Sequence, residues 1–285
     1  MCYFNIFNHL FRKIKKQSDT NINYLHYLCI VISKNTIKLL KALDKKKHRI
    51  NQGEFVAEGP KVVGDLLKTM RPKRIFACEK WYSSHIDIDC DEFMSVTEAE
   101  LSRLSFLQHP QDVIATFPLP CTETGLEYSI DKINCQLCLA LDGVQDPGNL
   151  GTIIRIADWF GVDTIFCSPD SADAYNPKVV QATMGSISRV KVFYTDLVQI
   201  ITRLPKETDV YGTFLNGKNI YESQLSSCGL IVMGNEGNGI SKDIESTISR
   251  RLFIPPFPKD HPTAESLNVA IATALCLAEF RRRVM

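Results

Sequence analysis

Beyond residue 135 the sequence alternates short apolar runs with amphipathic stretches, and this alternation constrains the fold more than any other feature of the chain. Strands are expected at Gln136–Leu141, Thr164–Cys167, Val190–Phe193, Asp209–Phe214, Leu230–Met233 and Leu252–Ile254. Helices are expected at Asn149–Phe160, Val179–Gly185 and Leu197–Leu204, and a long one at Ser266–Arg282. A strand, a crossover helix and a further strand return in parallel, so the pattern predicts an α/β fold with a mostly parallel sheet covered on both faces. Ligands of such sheets sit in the loops at the carboxyl ends of the strands.

A chain of 285 residues exceeds the usual size of one domain. The upstream half reads as a small α/β domain over 33–117. It has a helix from Asn35 to Lys47, strands at Gly53–Gly59, Lys73–Cys78 and Val113–Phe117, and helices at Lys61–Thr69 and Thr97–Leu104. Thr97 and Glu100 form a capping-box pair at the start of the last of these. Residues 118–133, with Pro118, Pro120 and Gly125, read as a linker, and 134–285 as the second domain. Residues 1–32 carry an aromatic and apolar run, then a basic cluster, then a second apolar run too short to span a bilayer. They read as a peripheral extension rather than a signal peptide.

Charge is balanced, 33 basic residues against 32 acidic, so any affinity for nucleic acid must come from a local patch. One candidate is Ser33–Gln52, which holds Lys34, Lys38, Lys41, Lys45, Lys46, Lys47 and Arg49 against the single acid Asp44. A solvated helix face explains such a run equally well. Among the ten cysteines, Cys78, Cys135, Cys138, Cys167, Cys228 and Cys276 sit in apolar contexts, the usage of a reduced, cytoplasmic protein. Cys135 and Cys138 form a CxxC without a second pair at zinc-ligand spacing, so buried thiols are expected and no metal is implied.

Three loop segments hold polar residues where generic turns would suffice. The first is Asp142-Gly-Val-Gln-Asp-Pro-Gly-Asn-Leu-Gly-Thr-Ile-Ile-Arg155, in which Asn149, Thr152 and Arg155 fall on one helical face while Leu150, Ile153, Ile154 and Ala157 line the other. An amide and a guanidinium on an exposed face are equipped to hold a phosphate or ribose. The second, Ile231-Val-Met-Gly-Asn-Glu-Gly-Asn-Gly-Ile-Ser241, runs from a buried strand into a loop of three glycines around Glu236. The third, Ile254 to Val269, is a proline-rich loop feeding a helix whose first turn should hold Ser266 and Asn268, where free NH groups favour anionic ligands.

Together, in this order and at these gaps, the three segments resemble motifs 1, 2 and 3 of the SpoU family of RNA ribose methyltransferases, also called TrmH-like, in the SPOUT superfamily. Pro177-Lys-Val-Val-Gln-Ala-Thr-Met-Gly185 and Gly59-Pro-Lys-Val-Val63 extend the likeness, which spans about residues 33 to 282. The resemblance implies a trefoil knot in the C-terminal half, S-adenosylmethionine as cofactor, a homodimer through the last helix, and an N-terminal L30e-like domain that holds RNA. It places Arg155, Asn149, Glu236, Ser266 and Asn268 at catalytic and substrate-binding positions. Gly234, Ile254, Leu267, Asn216, Gly217, Met233 and Asn268 fall at cofactor-binding positions, and Lys45, Lys46, Lys47, Arg49 and Lys178 are the expected RNA contacts. Two positions depart from the family pattern: Thr152 replaces a small residue, and Pro110-Gln111-Asp112 replaces Pro-Gln-Gly, where Asp accepts positive φ less freely than Gly.

The implied reaction is methyl transfer to a ribose 2'-hydroxyl, in ribosomal RNA before tRNA. The family proposal makes Arg155 the general base, but a guanidinium holds its proton at any working pH. Arg155 is better read as orienting the ribose phosphate and stabilising the developing alkoxide. A non-catalytic RNA-binding protein on the same fold is the alternative from another class. A dinucleotide enzyme is a further one, but it would need a glycine-rich loop after the first strand, where Asp142-Gly-Val-Gln-Asp-Pro-Gly148 stands.

Overall fold

The computed structural model describes residues 32–123, 125–258 and 264–283, so the N-terminal extension apart from Ile32 lies outside the described residues. The upstream sheet is built from β1 (Glu54–Glu58), β2 (Arg74–Ala77), β3 (Glu92–Ser95) and β4 (Val113–Pro118) in the order β1-β4-β2-β3. β4 is antiparallel to β1 and β2, and β3 is parallel to β2. Side chains alternate across it as the strand period requires. Val56, Phe76 and Ile114 face Leu40, Leu43, Leu101 and Leu104 on one side. Phe55, Ile75, Val113 and Phe117 face Val62, Val63 and Leu66 on the other.

Local chemistry starts and stops the helices. Ser33 caps Lys34–Ala42 through Thr36 N, and the Thr97–Glu100 capping box opens Glu98–Leu104. The single helix expected over Asn35–Lys47 is two, Lys34–Ala42 and Lys46–Gln52, because the Leu43 and Asp44 carbonyls between them turn to accept the Arg49 guanidinium at 2.6 and 2.8 Å. Asp112 does not need the left-handed conformation. Among the described residues Met184 is the non-glycine with positive φ, at 52°.

The second sheet comprises β5 (Leu137–Leu141), β6 (Thr164–Cys167), β7 (Lys191–Tyr194), β8 (Val210–Asn219), β9 (Gly229–Met233) and β10 (Arg250–Phe253), ordered β10-β8-β9-β5-β6-β7. Every pairing is parallel, as the alternation predicts. One face buries Cys138, Ala140, Phe166, Leu230 and Val232 with Ile133, Leu197 and Ile200. The other buries Leu139, Leu141, Ile165 and Ile231 with Ile153, Ile154, Ala157, Cys276, Leu277 and Phe280 from the helices Pro147–Trp159 and Val269–Arg282. From β5 the chain moves outward to β6 and β7, and from β9 it moves the opposite way to β10. The crevice between the carboxyl ends of β5 and β9 is therefore the switch point where such sheets bind ligands.

The segment read as a linker is not all loop: Leu126–Cys135, which runs two residues past it, is a helix packed on β5 and β9, with Ser129 and Ile133 buried. The two sheets also share one core cluster, and Phe55 of β1 packs on Tyr175 with ring centroids 4.9 Å apart. Polar contacts reinforce the seam. Arg49 pairs with Asp173, while Arg189 reaches Asp158 at 2.7 Å and Asp65 at 3.7 Å. Gly185 has to be glycine there, since a Cβ would stand 2.5 Å from the Asp65 carboxylate. Among the described residues no helix is long and apolar enough to cross a membrane. Cys138 and Cys276 are buried, and burial pushes each thiol up to about 12. Cys135, expected to be buried, is exposed at the end of its helix.

Candidate active site

The loop after β5 ends at Asp146, whose carboxylate accepts from Asn149 N at 2.8 Å and caps the helix that Pro147 opens. That helix buries Leu150, Ile153, Ile154 and Ala157, leaving Thr152 and Arg155 exposed and Asn149 half-buried at the switch point. Asn149 Nδ2 donates to Glu236 Oε1 at 2.9 Å, in the loop after β9. Asn149 Oδ1 accepts from Asn268 Nδ2 at 2.9 Å, at the entry to the last helix. One amide thus joins the three segments that the sequence singled out.

The last helix begins later than expected. Its first residue is Val269, and Asn268 is its cap, with Oδ1 accepting from Ala270 N at 3.0 Å and Ile271 N at 3.3 Å. Ser266 therefore lies ahead of the helix rather than in its first turn. Its hydroxyl is exposed and has no partner among the described residues. Arg155 likewise extends from its helix with no polar partner among the described residues, free to meet a ligand.

Beside this junction lies a cavity of about 490 Å³ formed by the middle of β8, the loops after β9 and β10 and the approach to the last helix. Asn216, Met233, Gly234, Ile254 and Leu267 line it, as the resemblance places them. Gly217 and Asn268 do not. A Cβ on Gly217 would stand 2.5 Å from the Leu252 carbonyl, so that glycine spaces β8 from β10, while Asn268 turns toward Asn149. Gly234 is required by close approach, because a Cβ would overlap the backbone of Gly239 and Ile240. Phe214, Asn235 and Glu245 also line the cavity and were not singled out from the sequence. Nothing in a single sequence separates them from ordinary strand-end residues.

The volume suits a ligand of nucleoside size. Among the described residues the charged lining is Glu236, Glu245 and Glu265, of which Glu245 is paired with Arg251 at 2.6 Å. Glu236 and Glu265 suit a cationic sulfonium better than the phosphates of a dinucleotide. The residues present therefore fit S-adenosylmethionine.

Lys45, Lys46 and Lys47 are exposed, and Lys46 Nζ lies 5.2 Å from the Tyr194 ring at the carboxyl end of β7. The strands being parallel, this basic helix stands on the same side of the sheet as the cavity. Lys178 is exposed near the start of Pro177–Ala182. Arg49 is a correction: it is 1% exposed and donates to Leu43 O, Asp44 O and Asp173, so it cannot reach RNA.

Comparison with known proteins places the chain in a family. Residues 136–278 match the model of the SpoU rRNA Methylase family, and residues 34–115 match that of the MRM3-like substrate binding domain. The 23S rRNA (guanosine(2553)-2'-O)-methyltransferase RlmP of Bacillus subtilis is 31% identical over 86% of this chain and 95% of its own length. A TrmH-family protein from Porphyromonas gingivalis superposes with a TM-score of 0.78 at 38% identity, over 88% of this chain and 99% of the other. An AdoMet-bound rRNA methyltransferase from Sinorhizobium meliloti gives 0.76 at 29% identity, over 89% and 97%.

Proposed function

The chain belongs to the SpoU rRNA methylase family, and from that premise we propose that it transfers a methyl group from S-adenosylmethionine to a ribose 2'-hydroxyl in ribosomal RNA. The observation that carries this is the junction of Asn149, Glu236 and Asn268 beside an acid-lined cavity. The name of the Bacillus subtilis relative favours ribosomal RNA over tRNA.

S-adenosylmethionine supplies, when bound, an electrophilic methyl on a sulfonium. Glu236 and Glu265 favour its positive charge, and Gly234, Ile254 and Leu267 shape the wall around it. Asn149 holds the start of its helix against Glu236 and Asn268. Arg155, two turns along that helix, orients the ribose phosphate and stabilises the oxygen as it gains negative charge. The hydroxyl proton passes to another acceptor, because a guanidinium already holds its own. Ser266, whose hydroxyl has no partner among the described residues, serves the substrate side. Alignment of the attacking oxygen supplies a large share of the acceleration, up to about 7–11 kcal/mol in favourable intramolecular cases.

Residues 33–117 hold RNA in this reading and 134–285 form the methyltransferase unit, extended upstream by the Leu126–Cys135 helix. Lys45, Lys46 and Lys47 on the cavity side, and Lys178, supply phosphate contacts in this reading. A homodimer belongs to the reading as well: Trp159 is 84% exposed, Ile271 52% and Leu275 37%, on two helices that pack together. So does the trefoil knot, which is supported by the chain's return from β10, at one end of the sheet, past β8 and β9 to the Pro147–Trp159 helix. The enzyme acts in the cytoplasm, with the RNA it modifies.

Mapping of 2'-O-methylated nucleotides in total RNA, with and without the gene, tests the proposal. One ribosomal site should lose its methyl group and regain it when the purified protein and S-adenosylmethionine are added. An unchanged map would overturn the reading.

A further inference from the structure

The loop after β9 and the loop after β5 are tied to each other by bonds that bypass Asn149. Asn235 uses both ends of its amide. Oδ1 accepts from Gly237 N at 2.9 Å and Asn238 N at 3.0 Å, which folds the glycine loop back so that Asn235 and Gly239 pair through their backbones. Nδ2 reaches across and donates to Gly143 O at 2.7 Å. The two NH donors on one end and the carbonyl on the other fix the amide's orientation. Asp142 continues the seam: its NH donates to Met233 O at 2.9 Å and its carboxylate accepts from Ser241 N at 2.6 Å. Gly143 N donates to Ser168 Oγ at 2.8 Å, so the Gly143 peptide is held from both sides.

Asn235 lines the cavity, while Gly143 lies six residues before Asn149 in the loop that delivers Asn149 and Arg155. We propose that Asn235 is a positioning residue, whose amide shapes the cofactor wall and, beside the Asp142 bonds, registers the substrate-side helix against it, so that filling the cavity also sets Asn149 and Arg155. This rests on the methyltransferase reading of the same site. It gives Asn235 no contact with the reacting atoms.

The two ends of the amide can be separated by substitution. Asn235→Asp keeps an oxygen for Gly237 N and Asn238 N but turns a second oxygen toward the Gly143 carbonyl, losing the bond across the seam. Asn235→Ala loses both. Once protonated, the carboxyl introduced by Asn235→Asp can again donate to Gly143 O, so that variant should recover as pH falls.

The test combines calorimetry with S-adenosylmethionine, amide hydrogen exchange with and without it, and turnover on ribosomal RNA. In the wild type, S-adenosylmethionine should slow exchange over residues 142–149. In Asn235→Asp it should bind within about threefold of wild type but leave 142–149 unprotected, whereas Asn235→Ala should bind about tenfold more weakly. At about pH 8, kcat of Asn235→Asp should fall about 30-fold, and its ratio to wild type should climb as pH falls below about 5, where a carboxyl of ordinary pKa, about 3.9, begins to take up its proton, a recovery that a merely structural defect would not show. Full protection of 142–149 in Asn235→Asp with a flat kcat ratio would overturn the proposal, as would an affinity as weak as that of Asn235→Ala. Failure of the wild type to bind S-adenosylmethionine would instead remove the function reading and the proposal with it. The exchange arm needs no RNA, so a protein that binds the cofactor but acts on another RNA still decides the matter.

Discussion

Asn268 Nδ2 donates to Asn149 Oδ1 at 2.9 Å across 119 positions of sequence. The same Asn268 caps the last helix, and the same Asn149 donates to Glu236, so two helix starts and a glycine loop share one chain of amides. Removing either end should spoil what the other does. Asn149→Ala and Asn268→Ala should each cut turnover, and the double variant should lose less than the sum, with a coupling of about 1 kcal/mol. Strictly additive losses in kcat would mean that the two amides act separately.

Arg155 stands free on the exposed face of its helix, so its loss should leave the cavity intact. Arg155→Ala should bind S-adenosylmethionine with unchanged affinity and lose turnover by a factor of about 10² to 10³. Arg155→Lys should not recover it if a planar fork is what the phosphate needs. Near wild-type methylation by the Ala variant would remove Arg155 from the reaction.

The basic helix divides into surface and core. Replacing Lys45, Lys46 and Lys47 with Ala should weaken RNA binding and flatten the dependence of log K on log salt by up to about 2. An unchanged slope would return those lysines to a solvated face. Arg49→Ala should instead act on folding, lowering stability by about 3–5 kcal/mol in a denaturant titration, because it strands Asp173 and the Leu43 and Asp44 carbonyls.

Acid should loosen the seam between the two sheets. Burial pushes the Asp158 carboxyl up, but hydrogen bonds from Arg189 and Ser186 outweigh it and hold it below the usual carboxylate range. At Asp65 the hydrogen bond from Lys68 leads the same lowering, opposed by burial and aided by the charges of Lys61, Lys68 and Arg189. Groups lowered on folding contribute stability above their unfolded pKa, about 3.9, and lose it as pH falls through the folded value. Arg189→Ala should therefore cost about 1 kcal/mol or less at neutral pH, given its partial exposure, and make the decline of stability below about pH 4 shallower. Equal slopes for variant and wild type would show that the acid sensitivity arises elsewhere.

The parallel sheet was legible because β5, β6 and β9 are buried on both faces and read as unbroken apolar runs. β3 was missed because an edge strand of Glu-Phe-Met-Ser buries only Phe93. The Leu126–Cys135 helix was hidden behind Pro118, Pro120 and Gly125, which end one element but do not forbid the next. In the site, Asn149, Glu236 and Asn268 stood out as polar residues where turns needed none, and folding brings them within one network. Asn235 did not, since an asparagine among glycines reads as an ordinary turn residue. Nor could a run of cations reveal that Arg49 points inward, because composition counts charges without giving their direction.

Phe55 and Tyr175 pack inside a core that passes unbroken from one sheet to the other. The basic helix and the cavity are therefore set apart by a constant length, like the jaws of a locked calliper. Any ligand that touches both must fit the spacing that this shared core sets.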